Sequence, residues 1–128
     1  MGGVEWVVEG FGCSEASLSN LDTLRRLFET LIAAFELRPV GQTQWHQFSG
    51  TGGITGVCIL AESHLACHTF PEYGSLCLNL FCCSPRREGA EQSFDSVIRQ
   101  ALGAQSVSVR RVARSYRVPQ HLPLGAQA

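Results

Sequence analysis

Between Ala61 and Glu72 the chain places a serine, two histidines, a cysteine and two glutamates within twelve residues. Ser63 follows Glu62 directly, and His68 lies five residues further on. A serine hydroxyl becomes a nucleophile when a base relieves it of its proton, and histidine is the usual base near neutral pH. The carbonyl nearest to that hydroxyl belongs to Glu62, in the chain itself.

The other reactive groups are less informative. His64 and His68 are four apart, which on a helix would aim both at one metal ion, with Cys67, Cys82 or Cys83 to complete a set. Leu65, Cys67 and Thr69 alternate with His64, Ala66 and His68, however, and that is the period of a strand, so no metal is expected. All ten basic residues are arginines, and without lysine the ordinary side-chain route to an imine is closed. Arg110, Arg111, Arg114 and Arg117 form a basic run with one aromatic, Tyr116, which reads as a solvated strand edge and not as a nucleic-acid surface. Cys13, Cys58 and Cys77 read as small packing residues.

The elements that must hold these groups are legible from periodicity. Val4–Glu9 reads as a strand closed by Gly10 and Gly12, and apolar positions from Leu18 to Phe35 recur at the three and four spacing of a helix ended by Arg38-Pro39. Ser14, Ser17 or Ser19 is its expected cap. Strands follow at Gln42–Phe48, Ile54–Leu60, His64–Phe70 and Leu76–Cys83, joined by Ser49–Gly53, Glu62-Ser63 and Pro71–Gly74. Such short connections favour antiparallel neighbours, and folding back at Pro71 would bring Cys82 or Cys83 near Ser63. A second helix over Ala90–Leu102, stopped by Gly103, and a strand at Val107–Val112 complete the order β-α-β-β-β-β-α-β. The expected architecture is α+β: a two-layer sandwich with a largely antiparallel sheet and two helices on one face. Pro119–Ala128 reads as a tail.

The 128 residues fit one domain with a single core. A net charge of -1 and 16% charged residues offer nothing to a polyanion. The N-terminus carries no basic segment leading into a long apolar run, and the longest apolar stretch, near Ile54–Ala61, is too short to span a bilayer. A soluble, cytoplasmic protein with no membrane partner and reduced thiols is expected.

The blocks Gly53-Ile-Thr-Gly-Val, Leu60-Ala-Glu-Ser-His-Leu, His68-Thr-Phe-Pro-Glu-Tyr-Gly and Asn79-Leu-Phe-Cys-Cys closely resemble the bacterial and archaeal type of S-adenosylmethionine decarboxylase proenzyme. The resemblance is strongest from about Trp45 to Cys83. It implies self-cleavage between Glu62 and Ser63 into a beta chain, 1–62, and an alpha chain, 63–128, the second beginning with a pyruvoyl group derived from Ser63. That ketone would condense with the substrate amine and take up the electrons as carbon dioxide leaves, so no lysine is needed. By resemblance Ser63, His68 and Cys83 are the catalytic positions, with Cys83 reprotonating the substrate carbon. Glu62, Ser63, Thr55 and His68 serve processing, His68 by removing the α-proton. Phe48, Leu65 and Glu72 bind S-adenosylmethionine, Phe48 against the adenine and Glu72 at the ribose. A homo-oligomer of cleaved protomers, with its site shared across subunits, is implied as well.

The sequence departs from this pattern at four places. Thr55 stands where a relative has serine, Phe70 where tryptophan or tyrosine is common, Asn79 where aspartate is usual, and the loop Ser49–Gly53 lacks a proline. Related pyruvoyl enzymes act on ornithine or arginine, which keeps those substrates as an alternative. A non-catalytic regulatory paralogue is a further one, against which the retained Ser63 and His68 stand.

Overall fold

The computed structural model describes residues 2–82, 88–117 and 119. Six strands, β1 (Gly2–Phe11), β2 (Gln44–Gln47), β3 (Ile54–Ile59), β4 (His64–Phe70), β5 (Ser75–Cys82) and β6 (Ser106–Ser115), form one sheet in the order β2-β3-β4-β5-β1-β6. Every pairing is antiparallel. Helices α1 (Glu15–Leu18), α2 (Leu21–Ala34) and α3 (Ala90–Leu102) pack on one face, so the α+β two-layer architecture is as expected, with three helices in place of two.

The third helix comes from a break. The apolar three and four spacing runs on through Ser19-Asn20, but these residues close one helix and open the next: Ser19 Oγ donates to the Glu15 carbonyl and Asn20 Oδ1 accepts the Thr23 N–H, while Ser14 Oγ accepts the Ser17 N–H at the start of the first. Ser14, one of the three expected caps, thus starts α1, while α2 starts at Asn20, which periodicity alone passes over. Strand β6 also runs three residues past Val112, because β1 continues to Gly2 and offers Ser115 a partner. At that edge Arg110, Arg111 and Arg114 are exposed, the kind of charge that blunts an unpaired strand.

The core lies between sheet and helices. Val4, Trp6 and Val8 of β1, Leu65 and Cys67 of β4, and Leu76, Leu78 and Leu80 of β5 meet Leu24, Phe28 and Leu31 of α2 and Phe94, Ile98 and Leu102 of α3. Full burial of each such side chain is worth about 1.5–3 kcal/mol. Aromatic pairs tie the layers together, Phe28 to Trp45 at 4.8 Å and Phe94 to Trp6 at 6.0 Å, while Phe35 and Phe94 stack at 4.7 Å within the helical layer. The opposite face of the sheet carries no helix among the described residues, and the alternation that buries Leu65, Cys67 and Thr69 turns His64, Ala66 and His68 towards it.

Candidate active site

The open face collects the chemistry. Register sets His46, Thr55, His68, Cys77, Glu9 and Ser108 side by side in one row across all six strands. At its centre Thr55 Oγ1 and His68 Nδ1 are 3.1 Å apart, a hydrogen bond that fixes the imidazole over the face. The closeness follows from direct opposition of the two residues in the β3–β4 ladder. His46 packs edge-on against Phe48 with ring centroids 4.7 Å apart, and Phe48 stands 52% exposed where β2 ends. Glu72 is exposed in the 3-10 turn Pro71–Tyr73 that directly follows β4.

The expected residues fall into two groups at opposite ends of β4. Phe48, Thr55, His68 and Glu72 cluster where β3 begins and β4 ends. Glu62 and Ser63 occupy the turn joining β3 to β4 at the other end, where the Leu60 N–H donates to the Ser63 carbonyl at 3.0 Å. Ala61 and Glu62 are exposed and Ser63 is half-buried there. Five residues of extended strand separate Ser63 from His68, about 16 Å at the usual rise. Leu65 is fully buried with its side chain among the helices, away from the open face. Cys83 lies outside the described residues. Phe81 opposes His64 in the β4–β5 ladder, so the end of β5 does return towards the turn carrying Ser63, and Cys82 packs against the core there.

Near that second end a polar chain crosses four strands. Arg114 Nη1 donates to Glu5 Oε1 at 2.7 Å, Asn79 Nδ2 donates to Glu5 Oε2 at 3.1 Å, and the same amide lies 3.4 Å from His64 Nε2. His64 in turn stacks on Phe81. The aspartate expected by resemblance at position 79 would face the Glu5 carboxylate, whereas the amide present here donates to it.

Of the described cysteines, Cys13, Cys58, Cys67 and Cys77 are free thiols. Burial pushes the Cys67 thiol up to about 12, with a hydrogen bond from the Gly56 backbone pulling the other way. Cys77 is raised by partial burial and then by the Glu9 carboxylate beside it. Neither is primed as a nucleophile. Among the described residues no three histidine, cysteine or acidic side chains converge as metal ligands, and no helix is long and apolar enough to cross a membrane.

Sequence reasoning passed over His46, Gln47 and Thr69. With Trp45 assigned to the core, strand alternation alone puts His46 and Phe48 on the face of Thr55, a signal that was available. Gln47 and Thr69 donate to the Ser19 and Leu18 carbonyls, at a helix end distant in sequence, and such bonds have no local signature.

Comparison with known proteins agrees with the geometry. A family model described as S-adenosylmethionine decarboxylase matches residues 4–115. A protein of Picrophilus torridus named S-adenosylmethionine decarboxylase proenzyme is 30% identical over 92% of this chain and 88% of its own length. Proteins of the same name from Thermococcus gammatolerans and Pseudomonas paraeruginosa are 34% and 33% identical over 77% and 80% of the chain, which spans 66% and 62% of their lengths. The crystal structure of an adenosylmethionine decarboxylase from Aquifex aeolicus superposes with a TM-score of 0.75 over 95% of this chain and 97% of that one, and at 21% identity it speaks for the fold.

Proposed function

The chain belongs to the S-adenosylmethionine decarboxylase family, and from that premise we propose that it cuts itself between Glu62 and Ser63 and then decarboxylates S-adenosylmethionine in the cytoplasm, providing aminopropyl groups for spermidine synthesis. The observation that carries the reading is the Thr55–His68 hydrogen bond on an open face, with Phe48 and Glu72 exposed in the segments that follow β2 and β4. In the cleavage, Ser63 Oγ attacks the Glu62 carbonyl and the peptide becomes an ester. Loss of the Ser63 α-proton to His68 expels the Glu62 carboxylate, and the remaining dehydroalanine takes up water and releases ammonia to leave a pyruvoyl group.

The residues around position 63 suit such a group. The scissile bond sits in an exposed tight turn, and a chain without lysine needs a carbonyl from its own backbone. The pyruvoyl ketone supplies the acceptor for the substrate amine and for the electrons released with carbon dioxide. Phe48 offers its exposed ring to the adenine, Glu72 accepts hydrogen bonds from the ribose, and Cys83 returns a proton to the substrate carbon. Leu65 can contribute only through its main chain, since its side chain is in the core.

Separation along β4 adds a requirement. His68 cannot reach Ser63 of its own chain across about 16 Å of strand, so the site is completed by a second copy of the protein docked on the open face. Val57, Ile59, Phe70 and Val112 are 41%, 60%, 38% and 41% exposed on that face, and apolar exposure of this extent suits an interface. Cleavage would leave each protomer intact, because β1 of the first piece lies between β5 and β6 of the second.

Intact-mass measurement of purified wild-type and Ser63→Ala protein tests the first step. Two chains from the wild type and one from the variant are expected; a single wild-type chain rejects self-cleavage and would favour a regulatory paralogue. Carbon dioxide release is then measured from S-adenosylmethionine, ornithine and arginine. Release only from an amino acid lacking the adenosyl group would reject the substrate.

A further inference from the structure

We propose that Thr69 and Gln47 are positioning residues that hang the substrate-side half of the site on the last carbonyls of α1, Thr69 for the Thr55–His68 pair and Gln47 for the loop bearing Phe48. The inference rests on the function proposed above and adds to it two residues that touch neither substrate nor pyruvoyl group.

Thr69 is the buried polar side chain among the described residues, 4% exposed. Its hydroxyl is fully used: Oγ1 accepts the Ile54 N–H at 2.8 Å and donates to the Leu18 carbonyl at 2.8 Å. Its place in the ladder is informative. The β3–β4 register closes with Thr55 opposite His68, and the next amide, that of Ile54, meets the Thr69 hydroxyl in place of a strand carbonyl. The hydroxyl therefore ends the ladder one residue beyond the proposed base. It also ties that point to Leu18, whose side chain is fully buried.

Gln47 does the same for the neighbouring strand. It shares the helix side of β2 with Trp45, and its Nε2 donates to the Ser19 carbonyl at 2.7 Å and to the Gly52 carbonyl at 3.1 Å. Gly52 N–H returns to the Phe48 carbonyl at 3.0 Å, and the Phe48 N–H donates to the Gly53 carbonyl at 2.8 Å. One amide side chain thus fixes the loop from which the Phe48 ring projects. The packing has little slack, since a Cβ on Gly53 would come within 2.7 Å of the Thr69 carbonyl. The start of α1 is anchored as well, through Cys13 N–H to the Gly74 carbonyl, which holds the turn containing Glu72, and Ser14 N–H to the Leu102 carbonyl. Helix α1, four residues long, is placed as a bracket for three site segments.

The two residues predict different kinetic signatures. Thr69 governs the geometry of proton removal, so its loss slows the cleavage step. Gln47 governs the adenine contact, so its loss weakens substrate binding. The experiment follows chain cleavage over time by intact mass, then steady-state decarboxylation of the cleaved fraction, for wild type, Thr69→Val, Thr69→Ser and Gln47→Leu in the full chain. Thr69→Val removes the hydroxyl at constant shape and should cleave about 10- to 100-fold more slowly, the range for a small misplacement of a reacting group. Thr69→Ser, which keeps the hydroxyl, should restore cleavage to within about threefold, and Gln47→Leu should cleave normally but raise KM about fivefold with kcat unchanged. Should Thr69→Val not fold, Thr69→Cys, with similar volume and a weaker hydrogen-bonding group, must fall between wild type and an uncleaved chain.

Cleavage of Thr69→Val at the wild-type rate, equal slowing by Thr69→Ser, or an unchanged KM in Gln47→Leu overturns the proposal. A wild-type chain that never cleaves, or that cleaves without acting on S-adenosylmethionine, overturns the function on which it rests. The two failures are therefore distinct.

Discussion

His68 and Cys67 are adjacent in the sequence and opposite in environment, because strand alternation sends one imidazole to the open face and one thiol into the core. The neighbour of the proposed base is therefore no competitor for it. Burial holds the Cys67 thiol at about 12 against an ordinary 9.0. Below pH 9 the thiol is protonated whether the chain is folded or not, and the group leaves stability unchanged. Above pH 9 the unfolded chain gives up a proton that the folded chain keeps, so stability falls as pH rises towards about 12. The slope is about 1.4 kcal/mol per pH unit for one such group. Urea midpoints for wild type and Cys67→Ala from pH 8 to pH 11 check this: the variant starts lower, having lost core volume, but declines less steeply. Parallel declines would mean that the thiol ionises freely in the folded protein.

At the scale of elements, the close fit of β2 on β3 is what carries His46 and Phe48 to the site. Gly56 faces Trp45 across that pairing, and a Cβ on it would overlap the indole ring. Gly56→Ala should cost about 1–3 kcal/mol of stability, the usual penalty for overpacking, and should displace β2, the ring of Phe48 with it. Thermal unfolding measures the first effect and KM for S-adenosylmethionine the second; a rise in KM is expected even at temperatures where the variant is fully folded. Elements of this kind were legible where one period governs a segment. Strand β4 and helix α3 have the bounds that alternation and the three and four spacing give them, His64–Phe70 and Ala90–Leu102. The break between α1 and α2 was not, because Ser19-Asn20 fits the helical spacing and stops the helix through hydrogen bonds of the Ser19 hydroxyl, the Asn20 cap and a carbonyl engaged by Gln47. The site was legible in its residue types, while its division between the two ends of β4 required the register. Sequence nearness of Ser63 and His68 concealed their distance, since five residues span about 7.5 Å on a helix but about 16 Å on a strand.

On the function proposed above, this division would make a single chain half of two sites. Ser63 and its turn would belong to one and Thr55, His68, Phe48 and Glu72 to the other, and two copies facing each other across their open sheets would complete both. Mixing tests this without any structural measurement. Ser63→Ala lacks the nucleophile and His68→Ala lacks the base, so neither chain alone should be cut. When the two are co-expressed, a mixed dimer holds one complete site, in which the base of the Ser63→Ala chain serves the serine of the His68→Ala chain. Cleavage should therefore appear only in His68→Ala chains, and random pairing limits it to about half of them. Absence of cleavage in the mixture, with mixed dimers verified by differential tags, would mean that the base acts within its own chain. Such an outcome would require β4 to give up its extended form before cleavage, at the expense of the ladders it makes with β3 and β5.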